Sequence, residues 1–306
     1  VYRLKNNKVC SLCSGCGGFD LGFIQAGYGI EWANDIDYFS VQSYKENVGD
    51  NIVLGDINDI DISSIPAHDL LIAGFPCQPF SIMGNERGFE DHRGSIFFRI
   101  CEIIRIHNPR VVVLENVGRI LTHKSGKTYE IILNSLNDLG YNIFSQILNS
   151  NDFGVPQTRN RIFIVAFKDK NIKFKFPEGR PLDKTLQGIL EKNVDQKYYL
   201  SEKIKKTILS EGSGGYSSRP QTDLTIARPL CATMAKMHRA GQDNYVTTEN
   251  GLRRLTPREC ARLQGFGEDY KIVVSDRQAY KQFGNAVTVP VAYAVAHAIQ
   301  ECEQDA

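Results

Sequence analysis

The segment Gly74-Phe75-Pro76-Cys77-Gln78-Pro79-Phe80-Ser81 holds a cysteine between two prolines, directly after the apolar run 70–73. A thiol at the end of a buried strand sits at the edge where parallel sheets bind ligands, and the flanking prolines keep it from swinging away, so Cys77 is a candidate nucleophile. Taken alone, a cysteine among apolar neighbours also reads as a core residue. Glu115-Asn116-Val117 closes a second apolar run at 111–114, which brings a carboxylate to the same edge. Gln157-Thr158-Arg159-Asn160-Arg161 precedes a third run at 162–166, where alternate arginines can point the same way. Thiol, carboxylate and guanidinium on one sheet edge make a reaction site.

Beside them lies a glycine-rich turn, Ser14-Gly15-Cys16-Gly17-Gly18-Phe19, between a strand-like run at 9–12 and a helix-like stretch at 21–26. Its glycines let the backbone turn tightly and approach a nucleotide-like cofactor, although the full G-x-G-x-x-G spacing is missing and a bare strand-to-helix turn reads the same way. Asp35 follows the next strand-like run, 30–33, where an acid can accept hydrogen bonds from both ribose hydroxyls. Asp56, after Gly55, is placed to take an adenine amino group. Each of these acids, in isolation, also fits a solvated loop.

Short β-branched runs alternate with helical spacing through 9–12, 21–26, 30–33, 39–47, 70–73, 95–107 and 111–115, the pattern of buried parallel strands joined by crossover helices. The expected fold is α/β: a doubly wound, mostly parallel, Rossmann-like sheet with its crevice at the carboxyl ends of the strands. After residue 167 the text turns basic and then polar, with loop-like stretches at 212–215 and 217–221; helix spacing returns at 255–263 and 289–299. The expected organisation is a catalytic and cofactor-binding domain over 1–175, a small inserted lobe over 176–251, and a return to the first domain over 252–306.

With 42% hydrophobic residues in 306 there is apolar surface enough for such a core, and no stretch approaches the roughly 18 apolar residues of a membrane span. Residues 1–8 are polar and basic and lack the apolar stretch of a secretion signal, so the expected location is the cytoplasm, with no membrane partner. A formal charge of +1 neither demands nor excludes nucleic acid. Eight cysteines in such a chain are expected as free thiols. The close spacing of Cys10, Cys13 and Cys16 suits zinc or an iron–sulfur cluster, but no second paired-cysteine motif follows, so no metal is expected.

Taken in order, these blocks resemble those of the cytosine-C5 DNA methyltransferase family, over nearly the whole chain. Gly88-Phe89-Glu90-Asp91-His92-Arg93-Gly94 resembles its mobile loop. The run from Arg253 through Thr256-Pro257-Arg258-Glu259-Cys260 to Phe266, and Gln282-Phe283-Gly284-Asn285-Ala286-Val287, resemble its two C-terminal blocks. The resemblance implies an enzyme that methylates carbon 5 of a cytosine flipped out of a short double-stranded DNA sequence. S-adenosyl-L-methionine is the implied donor and S-adenosyl-L-homocysteine the product.

Under that resemblance the catalytic residues are Cys77, Glu115, Arg159 and Arg161, with Arg159 as a helper and Asn116 positioning Glu115. The cofactor residues are Ser14, Gly15, Gly17, Gly18, Asp35, Ile36, Asp56, Ile57, Pro76 and Asn285. Two departures stand out: Cys13 and Ile36 occupy positions where aromatic rings are common, which predicts looser adenine binding or another aromatic in their place. The lobe 176–251 takes the place of the target-recognition region. The DNA-binding residues are Ser81, Met83, Arg93, Arg228, Lys236, His238 and Arg239; of the lobe's residues, Arg228, Lys236, His238, Arg239, Gln242 and Asn244 offer donors for base edges and phosphates. A bacterial restriction–modification enzyme follows by analogy, a monomer whose cognate restriction endonuclease is a genetic rather than a physical partner. Three alternatives stay open: a transfer-RNA substrate, a catalytically dead DNA-binding subunit, and a metal or redox protein built on the three cysteines.

Overall fold

The computed structural model describes residues 7–76, 96–180, 182, 184–210, 212–213, 216–217, 221–239 and 241–304. The chain divides into two compact units, one of Val1–Leu148, Asn160–Glu178 and Ala292–Ala306, the other of Asn149–Arg159 and Gly179–Val291. The segment expected to return to the first unit at residue 252 thus returns at 292, and the second unit also takes in the short arm 149–159.

The first unit is a seven-stranded sheet. Its strands are β1 (Lys8–Leu12), β2 (Gly29–Asp35), β3 (Ile52–Leu54), β4 (Leu70–Gly74), β5 (Val111–Val117), β6 (Asn142–Asn149) and β7 (Asn160–Phe167), in the order β3-β2-β1-β4-β5-β7-β6. β1 pairs in parallel with β2 and β4, β2 with β3, and β4 with β5, while β5 and β7 run antiparallel. The expected doubly wound, mostly parallel sheet is thus what the chain forms. Leu70–Ala73 of β4 and Val111–Leu114 of β5 are wholly buried, as their uninterrupted apolar runs require of strands covered on both faces.

Parallel neighbours need crossover connections, and α1 (Gly18–Gln25), α2 (Tyr38–Asn47) and α3 (Ile96–His107) follow β1, β2 and β4 in the chain. α3 buries Phe97, Ile100, Ile103 and Ile104 in a cluster with Leu71 of β4 and Val112 of β5. At roughly 1.5–3 kcal/mol for each large apolar side chain removed from water, this stripe is what holds the helix down. α4 (Lys127–Asp138) adds Ile132 and Leu136 to the same cluster. Strand order reverses between β2 and β4 on either side of β1, so the loops after β1 and β4 flank the switch point where such sheets bind ligands.

The second unit is built from α5 (Glu202–Leu209), two short strands β8 (Gly212–Ser213) and β9 (Tyr216–Ser217), a hairpin of β10 (Tyr245–Thr248) and β11 (Gly251–Arg254), then α6 (Pro257–Leu263) and α7 (Asp276–Asn285). The helix expected over 255–263 starts at Pro257 because Thr256 caps it: its side chain accepts from Glu259 N–H while the Glu259 carboxylate accepts from Thr256 N–H. The last helix, α8 (Val289–Gln304), runs beyond the expected 289–299.

Candidate active site

Glu115 and Asn116 lie just before the end of β5, near the carboxyl edge of the sheet, and Glu115 stands in register with Gly74, the last residue of β4, and with Phe163 of β7. Arg161 lies opposite Val117, two residues along on the same face of the antiparallel pair. That diagonal brings Arg161 Nε to 3.1 Å from Glu115 Oε1, with the two side chains only 19% and 9% exposed. Arg161 also donates from Nη1 to its neighbour's carbonyl, Asn160 O, at 2.9 Å. A charge-assisted pair at this depth fixes a carboxylate and a guanidinium as one unit aimed along the sheet edge.

Asn116 does a different job from the one its neighbour suggests. It is buried, donates from Nδ2 to Phe75 O at 2.9 Å, and accepts from Val117 N–H at 2.8 Å. It therefore holds the chain as it leaves β4, two residues before position 77. Cys77 itself lies outside the described residues, as do Ser81, Met83 and Arg93.

Across the switch point, the loop after β1 carries left-handed backbone at Cys13, Gly15 and Gly17, with φ of 54°, 58° and 91°. Gly17 is the N-cap of α1, and a Cβ there would fall 2.5 Å from Val48, so glycine is required on two counts. Ser14 is buried, its hydroxyl donating to Ser11 Oγ at 2.8 Å and its N–H to Asn34 O at 3.0 Å. Asp35 at the end of β2 accepts from Gly15 N–H and from Asp37 N–H, each at 2.8 Å, which ties the glycine turn to the second strand. Asn34 donates to Val53 O and Gly55 O, fixing the approach to Asp56, whose Oδ1 accepts from the N–H and the side-chain amide of Asn58.

This corner suits a nucleoside. Nothing lies within 4 Å of the place where a Cβ on Gly15 would stand, beside the Asp35 carboxylate, and Ile36 next to that acid is 67% exposed. Open backbone, an acceptor and a bare apolar side chain are what a ribose and a base need. Ile57 is buried, its carbonyl accepting from Arg99 at 3.1 Å, and Pro76 is exposed. Tyr38, first in α2, is an exposed aromatic three residues after Asp35.

Burial, with the charges of Asp35 and Asp56, pushes the Cys13 thiol up to about 12. Cys10 points into the main core. Among the described residues no group of three or more His, Cys, Asp or Glu side chains is arranged to hold a metal ion.

In the second unit Arg159 is 1% exposed, and its guanidinium donates to Leu230 O at 3.1 Å, Gly284 O at 3.0 Å and Ala286 O at 2.9 Å. The expectation that alternate arginines point the same way does not reach Arg159, because β7 begins one residue later and strand alternation has not yet started. Arg159 instead holds the turn around Asn285, the exposed last residue of α7. Gln264 donates to Phe283 O at 2.6 Å, and Gln157 links Leu263 O to Leu230 N–H, both at 2.8 Å. Gln157 opens the motif that carries the two arginines and Gln264 lies in the first C-terminal block, but nothing in the sequence gives either glutamine these partners.

The candidate recognition residues sort by partner. Asn244 is buried and pairs reciprocally with the Arg228 backbone, so it is no surface donor. The Arg228 guanidinium donates to Gln221 at 2.9 Å. Arg239 is bonded to Asp243 at 3.0 Å. His238 stacks on Tyr245 and takes a 2.6 Å contact from Arg254; burial and the Arg254 charge lower its pKa, keeping the ring neutral. Lys236 and Gln242 are exposed.

Comparison with known proteins accounts for nearly all of this chain. A family model described as C-5 cytosine-specific DNA methylase matches residues 7–301. The type II methyltransferase M.NgoBI of Neisseria gonorrhoeae is 43% identical over 93% of this chain and 90% of its own length. M.HaeII of Haemophilus aegyptius is 40% identical over 96% and 92%, and M.HhaI of Haemophilus parahaemolyticus 36% identical over 97% and 95%. Among solved structures, S. pombe Dnmt2 methyltransferase superposes with a TM-score of 0.77 at 22% identity, covering 96% of this chain and 98% of that one, a likeness of fold.

Proposed function

The chain belongs to the C-5 cytosine-specific DNA methylase family and is a DNA (cytosine-5-)-methyltransferase of the type II restriction–modification kind, and on that premise we propose that it works through a covalent bond from Cys77 to carbon 6 of a flipped-out cytosine, with S-adenosylmethionine as methyl donor. The observation that carries this reading is the Glu115–Arg161 pair, in register with the end of β4, whose continuation bears Cys77. Cytosine carbon 5 is a weak nucleophile. Addition of the Cys77 thiolate to carbon 6 makes the ring an enamine whose carbon 5 can accept a methyl group; loss of the carbon 5 proton then expels the thiolate.

Glu115 holds the ring through N3 and the exocyclic amine and favours the protonated ring. Arg161 binds O2, where negative charge gathers as the thiolate adds. Asn116 holds Phe75 and so sets the start of the segment that carries the nucleophile. When bound, S-adenosylmethionine supplies an electrophilic methyl on sulfur. Asp35 takes its ribose hydroxyls, the backbone at Gly15 and Gly17 leaves room for it, Ser14 and Gly18 bracket that turn, Ile36 and Ile57 offer the base apolar contact, and Asp56, Pro76 and Asn285 complete the set.

The cytosine is flipped from the duplex at a cost of a few kcal/mol, which DNA contacts must offset. Arg228, Lys236, His238 and Arg239 supply them, joined by Ser81, Met83 and Arg93. The enzyme acts as a cytoplasmic monomer whose cognate restriction endonuclease, where one exists, is a genetic partner. Among the described residues no helix is long and apolar enough to cross a membrane.

The test is incubation with radiolabelled S-adenosylmethionine and unmethylated plasmid, beside a Cys77→Ala variant and a transfer-RNA control, with product cytosines mapped by sequencing. Label in DNA that vanishes in the variant is the expected result, and the map reads out the target. Label confined to RNA, or label that survives Cys77→Ala, overturns the reading.

A further inference from the structure

The second unit contains a cleft that sets two basic residues of α7 beside the recognition residue Lys236. It holds about 320 Å³ and is lined by Ala232, Thr233, Ala235 and Lys236 on one side and by Arg277, Gln278 and Lys281 of α7 on the other. Arg277 and Lys281 are four residues apart and therefore share one face of the helix. Lys236, Arg277 and Lys281 are all exposed, and no acidic side chain is among the lining residues. The acid nearest in sequence, Asp276, accepts from Tyr198 Oη at 2.9 Å and Lys197 Nζ at 2.8 Å.

The walls of the cleft are built rather than incidental. Gly284, near the end of α7, packs on the backbone of residues 231–232 so closely that a Cβ would stand 2.3 Å from Ala232 N. Arg159 bridges both sides, reaching Leu230 O and Gly284 O. The 231–236 segment is wound into two successive turns by Met234 N–H to Cys231 O and Lys236 N–H to Thr233 O. Three basic residues thereby border a space roughly ten times one water molecule's share of the liquid. A site with hydroxyl and amide groups beside three positive charges suits an anion with several oxygens.

We propose that this cleft binds a backbone phosphate of the DNA substrate, with Arg277 and Lys281 of α7 facing Lys236 across it. The inference rests on the DNA methyltransferase reading and extends it. A phosphate held here fixes the register of the duplex on the second unit and carries no base information. Each cation that neutralises a phosphate releases counterions, so its loss shows in the salt dependence of binding.

The experiment compares the full-length protein with Arg277→Gln/Lys281→Gln and with Lys236→Gln, measuring anisotropy of labelled cognate and non-cognate duplexes over a series of salt concentrations. The α7 variant is expected to flatten the slope of log affinity against log salt by about 1 to 2, and Lys236→Gln by about 1. Both variants should weaken cognate and non-cognate binding by the same factor, and Arg277→Lys/Lys281→Arg should keep the slope. Unchanged slope and affinity overturn the proposal, as does a loss confined to the cognate duplex. Should the α7 variant melt well below the parent, Lys236→Gln on the other wall decides alone by the same criteria. Failure of the underlying function is separately visible: the parent protein itself would then neither bind nor methylate DNA.

Discussion

Arg161 Nε lies 3.1 Å from Glu115 Oε1 across the antiparallel β5–β7 pair, where Arg161 stands opposite Val117 and Glu115 opposite Phe163. Because each orients the other, they are expected to act as a unit. Glu115→Gln and Arg161→Ala should each slow single-turnover methyl transfer on the order of 10²- to 10³-fold. The double variant should be little worse than the poorer single one. Cofactor affinity, set at another corner of the sheet, should stay within about twofold. Losses that multiply in the double variant would show two independent groups.

Asn116 links the end of β5 to Phe75 O at 2.9 Å. Replacing it with leucine removes that link and leaves buried backbone groups to find other partners, at a cost of about 1–3 kcal/mol. The consequence should be read at Cys77. A duplex with 5-fluorocytosine at the target stalls after methyl transfer, because fluorine on carbon 5 cannot leave as a proton does. Asn116→Leu should form that covalent complex at least tenfold more slowly while melting only a few degrees lower. Trapping at the parental rate would mean the segment after β4 needs no such anchor.

The central strands were legible because Leu70–Ala73 and Val111–Leu114 are apolar without interruption, as burial on both faces demands. β3 and β6 at the sheet edges were not. β3 exposes two of its three residues, and β6 has three exposed residues in a row and a single buried one, so neither carries a clean period. The spacing of Ala279, Tyr280 and Phe283 on α7 is helical, yet ten residues so rich in polar side chains read first as a motif. Arg159 shows the firmest limit. Its three acceptors lie 71, 125 and 127 residues away in sequence, and a strand pattern that starts at Asn160 says nothing of where it points.

Arg253 and Glu259 form a two-pronged ion pair, with contacts of 2.8 and 2.7 Å and both side chains fully buried. Glu259 also accepts from Thr256 N–H and Glu191 N–H, so it joins the β10–β11 hairpin, the cap of α6 and the 191 segment. A buried pair adds little net stability, but removal of one partner strands the other charge, at about 3–5 kcal/mol. Arg253→Met is therefore expected to destabilise by that amount in urea, and Arg253→Met/Glu259→Gln by less, since no buried charge is left alone. A double variant weaker than Arg253→Met would assign the loss to the capping bonds instead.

Asp20, in the first turn of α1, is completely buried and accepts from Tyr44 Oη at 2.8 Å. Burial raises its carboxyl from the ordinary 3.8 to about 6, against the pull of the Tyr44 and Ser11 hydrogen bonds, with the Asp35 charge adding to the rise. The fold thus favours the protonated acid. Its contribution is fully present below about pH 4 and is lost as pH climbs through 6, because the unfolded chain ionises first and the folded chain must then bury an anion. Asparagine keeps an oxygen for Tyr44 and cannot ionise. Asp20→Asn should therefore match the parent near pH 4 and exceed it by up to about 3 kcal/mol above pH 7, read as the difference between urea midpoints across that range. A difference that stays flat with pH would mean that Asp20 is buried as a carboxylate. Tyr44, Ser11 and the first turn of α1 would then be holding a fixed negative charge directly behind the glycine turn.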